Sequence, residues 1–73
     1  MCLATVYVEG APQREEVMRD VAWIFPKAEG LQLTSFLGES KLVQAEIQSI
    51  DLIEGMILLA KSERMLAEGR DDA

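Results

Sequence analysis

The chain has 73 residues, a formal charge of −6, one cysteine and no histidine, and 49% of it is hydrophobic. That length allows one small domain with a marginal core, for which a metal or an oligomeric partner would be a natural support, and the hydrophobic fraction excludes a disordered chain. A single cysteine excludes an intrachain disulfide, and seven scattered Lys and Arg form no basic stripe, which disfavours RNA or DNA while an acidic balance suits cations.

No run approaches the roughly 20 apolar residues of a membrane-spanning helix. Residues 1–9 lack the basic start of a signal peptide. A free thiol fits a reducing compartment, and the expected location is cytoplasmic.

Residues 3–9, LATVYVE, alternate with a period of two and read as a strand. Gly10-Ala11-Pro12-Gln13 is a turn. Residues 15–18 read as a short second strand, and Arg19-Asp20 as a polar break. Residues 21–27, VAWIFPK, read as a third strand with Val21, Trp23 and Phe25 on one face and Ala22 and Ile24 on the other. Pro26 marks an edge or an end. Ala28-Glu29-Gly30 is a turn, followed by a strand over 31–37, a turn at Gly38-Glu39-Ser40, and another strand over 41–44.

Residues 45–59 carry two patterns. Ile47, Ile50, Ile53 and Ile57 fit a helical stripe, yet Ile50 and Leu52 alternate around Asp51, and Gly55 weakens a helix interior by about 1 kcal/mol relative to Ala. A strand over 47–53, a tight turn at Glu54-Gly55 and a strand over 56–60 are the better reading, with Asp51 satisfying backbone donors of the turn. Trp23, Phe25 and Phe36 are expected in the core or at a dimer interface, and Tyr7, Met18, Met56 and Met65 in ordinary packing. The fold class expected is all-β. It is a small SH3/Sm/OB-like, partly open barrel of about five or six short strands over residues 1–61, homodimeric, with residues 62–73 a flexible or short helical tail.

The chemistry available is narrow. Without histidine there is no Ser-His or Cys-His nucleophile, and the commonest metal ligand is missing. Glu15-Glu16 and Asp71-Asp72 are adjacent pairs, which on a strand face opposite sides and read as solvated surface. No enzymatic constellation is present in the pattern. Attention falls on Cys2. Met1 is expected to be trimmed before so small a side chain, leaving an α-amine and a thiol on one residue. These titrate near 7.7–8.0 and 8.5 as free groups and can close a five-membered chelate ring on a metal, which suits nickel or copper. Two donors do not complete a four-coordinate site. Either a backbone nitrogen joins them, or two chains each give an amine and a thiolate across a twofold axis, and the second arrangement implies a homodimer with one metal between subunits. Against this stands a Cys2 that merely packs.

The start MCLATVYV, a Met-Cys-x-Ala running straight into a strand, resembles the CooT-like family of small nickel-binding proteins. The similarity continues through EVMRDVAWIFPKAEGLQLTSFLGES and IQSIDLIEGMILL, roughly residues 1–60. The resemblance implies a small β-barrel-like homodimer that binds one Ni(II) per dimer through Cys2, without turnover chemistry, and serves a nickel enzyme such as carbon monoxide dehydrogenase. MCLA also resembles the start of the HypC-like hydrogenase maturation chaperones. Those usually continue with Ile-Pro-Gly, where this chain has Thr5-Val6-Tyr7. A metal-free interaction module and a HypC-like assembly chaperone are the alternatives, and the family's RNA-binding label conflicts with the acidity.

Overall fold

The computed structural model describes residues 3–10 and 12–61. Six strands follow in chain order: β1 (Ala4–Val8), β2 (Glu15–Lys27), β3 (Gly30–Ser35), β4 (Ser40–Val43), β5 (Ala45–Asp51) and β6 (Met56–Lys61). They form one sheet in the order β4-β3-β2-β1-β6-β5. All neighbours are antiparallel except β1 and β6, which run parallel. The expected all-β class is observed, and residues 45–61 are two strands and a turn. The expected tail over 62–73 lies outside the described residues. Among the described residues no helix is long and apolar enough to cross a membrane.

The sheet is not closed into a barrel. No ladder joins the outermost strands β4 and β5, so the sheet stays open. Gln44 is the single residue between these two strands, although they occupy opposite edges. The sheet must therefore coil until its edges approach, and β3 comes into contact with β5. The chain crosses from edge to edge at a corner instead of pairing along it, because Val43 lies beside Leu31 while Ala45 lies beside Lys61.

β2 departs most from expectation. Arg19-Asp20 does not end a strand; one strand runs through it. Asp20 takes φ 54°, a left-handed value that Asp tolerates better than most side chains. Its carbonyl accepts the Phe36 N–H at 2.7 Å. The ladder with β1 shifts register between Ala4 and Val6 and again between Val6 and Tyr7, and the ladder with β3 shifts between Val21 and Trp23. A polar pair read as a break is thus part of a bulged, bent strand.

The last shift also reverses side-chain parity. Val21 pairs with Ser35 and Trp23 with Thr34, so two steps along β2 match one along β3. Val21 and Ile24 face the core, whereas Trp23 and Phe25 turn away from it. The single face expected for Val21, Trp23 and Phe25 is overturned, because one extra residue flips everything beyond it. Trp23 is 49% exposed, and Phe25 and Phe36 are similarly open. None of the three is a core residue. The core is one cluster of Val6, Val21, Leu31, Leu33, Ala45, Ile57 and Leu59. Val6, Leu33 and Leu59 are fully buried, each contributing about 1.5–3 kcal/mol through area removed from water.

Candidate functional site

Cys2 lies outside the described residues, so the site is built from what holds its neighbours. Leu3 is described, and covalent geometry keeps consecutive Cα atoms about 3.8 Å apart. The start of β1 therefore sets where Cys2 begins. Ala4 and Thr5 are pinned on both sides. On one side Ala4 pairs with Val21 of β2. On the other, Thr5 pairs with Met56 of β6, and its N–H donates to the Gly55 carbonyl at 2.9 Å.

The β5–β6 turn is built by Asp51. Its carboxylate Oδ1 accepts the N–H groups of Ile53 and Glu54, both at 3.0 Å, and its carbonyl accepts the Gly55 N–H at 2.8 Å. An Asp side chain satisfying donors two and three residues on is the usual chemistry of such turns, and the sequence expectation for Asp51 is observed. On the opposite side of β1, Ser35 pairs with Val21, and Phe36 follows with its bond to Asp20. Ser35 is itself buried, and its Oγ accepts the N–H groups of Leu37 and Glu39 at 3.2 and 3.1 Å.

The β5–β6 turn adjoins the start of β1 and the β3–β4 turn lies one strand further across the sheet, beyond β2; both expose large apolar side chains. Leu52 and Ile53 stand on the β5–β6 turn, Ile53 at 94% exposure. Phe36 and Leu37 stand on the β3–β4 turn, Leu37 at 82%. Ile50 on the adjoining edge strand is also exposed. Turns ordinarily carry Gly, Pro, Asn, Asp and Ser. The segments SFLG and DLIEG break that habit, a signal present in the sequence that the strand reading absorbed by extending strands over 31–37 and 47–53.

The remaining candidate donors are not assembled. Among the described residues no group of three or more His, Cys, Asp and Glu could hold a metal ion. Met56 has its thioether 3.6 Å from Arg14 Nη1, and the Arg14 guanidinium carbon lies 6.0 Å from the centre of the Tyr7 ring. Tyr7 and Met56 are thus covered by a cation. Met18 packs against the core cluster, and Met65 lies outside the described residues. A groove of about 680 Å³ opens between β2 and the β3–β4 turn, with Arg19, Asp20, Glu39 and Lys41 among its walls. Its Lys41 Nζ donates to the Val17 carbonyl at 3.3 Å. Arg19 donates to Glu16 at 2.7 Å, and that hydrogen bond holds its guanidinium still more basic than usual.

Residues 1–60 match the family described as CO dehydrogenase accessory protein CooT. The chain belongs to the CooT family. A crystal structure assigned to CooT from Carboxydothermus hydrogenoformans superposes with a TM-score of 0.79 at 28% identity, covering 84% of this chain and 98% of that one. No curated protein matches the sequence. CooT proteins are accessory to CO dehydrogenase, which implies a non-catalytic role and an enzyme client. The match ends one residue before the end of β6, so residues 61–73 lie outside it.

Proposed function

We propose that this CooT protein captures Ni(II) through Cys2 at the interface of a homodimer, one ion per dimer, and passes it to a nickel enzyme such as CO dehydrogenase. Residues 1–61 form the metal-binding unit, working in the cytoplasm. After loss of Met1, each protomer offers the α-amine and the thiolate of Cys2, and two protomers complete a four-coordinate N₂S₂ set. Nickel is cargo in this reading, so the chain needs no general acid or base, consistent with a sequence that has no histidine.

The observation that carries the reading is the location of the start of β1. It is anchored by Ala4 to β2 and by Thr5 to the Gly55 carbonyl, beside the turn that exposes Leu52 and Ile53, with Phe36 and Leu37 exposed on the turn after the next-but-one strand, β3. Large apolar side chains left exposed on turns are surface that a protein partner can cover. A second copy seated there would bring a second Cys2 beside the first. It would also cover apolar surface that a 73-residue domain cannot bury alone.

The test is native mass spectrometry of untagged protein titrated with Ni(II), comparing wild type with Cys2→Ser. The expected result is a dimer lacking Met1 with one nickel, and loss of that nickel in an equally folded variant. Unchanged nickel binding by Cys2→Ser would sink the ligand assignment. A wild-type protein that binds no nickel would favour the metal-free interaction module or a HypC-like assembly role.

A further inference from the structure

The two open edges of the sheet are not alike. β4 is four residues long and carries Lys41, and short length and lysine are two devices by which proteins blunt an exposed edge. β5 has seven residues and contains neither Lys nor Pro, and among the described residues no strand joins its outer side. The backbone donors and acceptors along such an edge are a template for a further strand. Ala45, at the corner, is buried, but residues 46–50 are all exposed.

The two faces of β5 differ sharply in character. Ile47 pairs with Leu59 and Ile50 with Ile57, and both of these partners belong to the core cluster. The register shift between Ile47 and Ser49 makes this possible, because the extra residue, Gln48, puts two isoleucines three positions apart on one face. Yet Ile47 is 42% and Ile50 53% exposed. The apolar inner face of the sheet thus runs past β6 onto β5 and stops there uncovered. The other face of β5 carries Glu46, Ser49 and Asp51, which pair with Ala60, Leu58 and Met56.

We propose that the outer edge of β5 is a docking edge for a partner protein, which adds an extended segment with apolar side chains on one face and basic side chains on the other. In such strand addition the backbone bonds supply affinity and the alternate side chains supply specificity. The apolar side chains cover Ile47 and Ile50, and Lys or Arg lies across from Glu46 and Asp51. Opposite charges facing each other across a ladder are favourable and like charges unfavourable. The chain's charge of −6 acts in the same sense, by drawing a basic segment toward it. The same two acids argue against a second copy as the occupant. Antiparallel self-pairing that set Ile47 of one copy opposite Ile50 of the other would also set Glu46 opposite Asp51, two carboxylates face to face. This inference goes beyond nickel capture and uses no residue before Ala45.

The probe is a cyclic hairpin peptide whose outer strand alternates Val with Lys, preorganised so that little ordering cost falls on binding. Its counterpart has Glu in place of every Lys. Each is titrated into the full-length protein without nickel and followed by NMR amide shifts and hydrogen exchange. The Lys peptide is expected to slow exchange at amides within residues 46–51. It should bind about tenfold more tightly than the Glu peptide at low salt, with the difference shrinking at high salt. Ile50→Ser should weaken that binding about fivefold to tenfold, the scale of leaving half an isoleucine side chain uncovered. Leu42→Ser, at a similarly exposed position on the β4 edge, should keep it.

Equal affinity for the two peptides, binding of neither, or amide shifts confined to strands other than β5 overturns the proposal. So does an Ile50→Ser variant that no longer self-associates in sedimentation velocity, which would make β5 the seat of a second copy. If Ile50→Ser does not fold, the exchange map of the wild-type protein decides. Because the titration contains no nickel, a failure of nickel capture leaves its outcome unchanged, and the two readings fail separately.

Discussion

Replacing Gly30 by Ala tests whether the sheet really coils until its edges meet. Gly30 opens β3 with φ 149°. A Cβ there would collide with the Val43 carbonyl oxygen and lie 3.1 Å from the Gln44 Cα, both backbone atoms of the β4–β5 corner. Backbone cannot swing aside as a flexible side chain can, so the corner or the turn must move. The sparsely populated φ costs about 1–3 kcal/mol, and forcing packed backbone apart costs about 1–3 kcal/mol more, for a total of about 2–6 kcal/mol. At about 0.05–0.15 kcal/mol per residue, a 73-residue chain has roughly 4–11 kcal/mol of stability. Gly30→Ala should therefore remove a large share of it. Gly38→Ala, which meets only the backbone cost, should remove about 1–3 kcal/mol. The assay is urea unfolding followed by the fluorescence of Trp23, the single tryptophan. With a slope of about 1 kcal/mol/M for so small a domain, the Gly30→Ala midpoint should fall about 1–3 M below that of Gly38→Ala. Equal midpoints for the two variants would refute the close approach of Gly30 to the corner.

Leu33 is fully buried at the centre of the core cluster. Its replacement by Ala should cost about 2–5 kcal/mol in urea unfolding, and a loss below 1 kcal/mol would mean the core lies elsewhere. Ile53 is almost wholly exposed, so Ile53→Lys should leave the stability of the fold within about 0.5 kcal/mol. It should nonetheless weaken self-association in sedimentation velocity, and an unaltered association constant would remove the β5–β6 turn from the interface. Nickel binding should weaken on acidification. Each Cys2 must release protons from its amine and its thiol to coordinate the ion, so apparent affinity falls as pH drops below the ordinary amine range of about 7.7–8.0. A titration series from pH 8 to pH 6 with constant affinity would argue that neither group is a ligand.

Much of the fold was legible locally. The alternation in LATVYVE, the turns at Gly30 and Gly38, and the Asp51 turn before Gly55 each combine period-two hydrophobicity with residues suited to a sharp bend. The parity of β2 was not legible. Nothing in VAWIFPK distinguishes a regular strand from one with an extra residue between Val21 and Trp23. That choice belongs to the partner strand, where Ser35 and Thr34 fix the pairing. The exposure of Trp23 and Phe25 follows from it, and aromatic character alone pointed the other way. The ends of the 31–37 and 47–53 strands were misplaced for a related reason. Phe36, Leu37, Leu52 and Ile53 look like strand residues but sit on turns with their side chains outside.

The sequence by itself determined which side chains are available: one thiol, Cys2, in an acidic chain with no imidazole. It also determined the all-β class, because hydrophobic periodicity and turn residues act over a few neighbours. Only the tertiary structure decided that the sheet stays open at the Gln44 corner, that β1 runs parallel beside β6, and that the Gly55 carbonyl accepts the Thr5 N–H. Those are contacts between segments up to 51 positions apart in sequence, the separation of Thr5 and Met56. They are settled by the register and twist of the whole sheet rather than by the residues on either side.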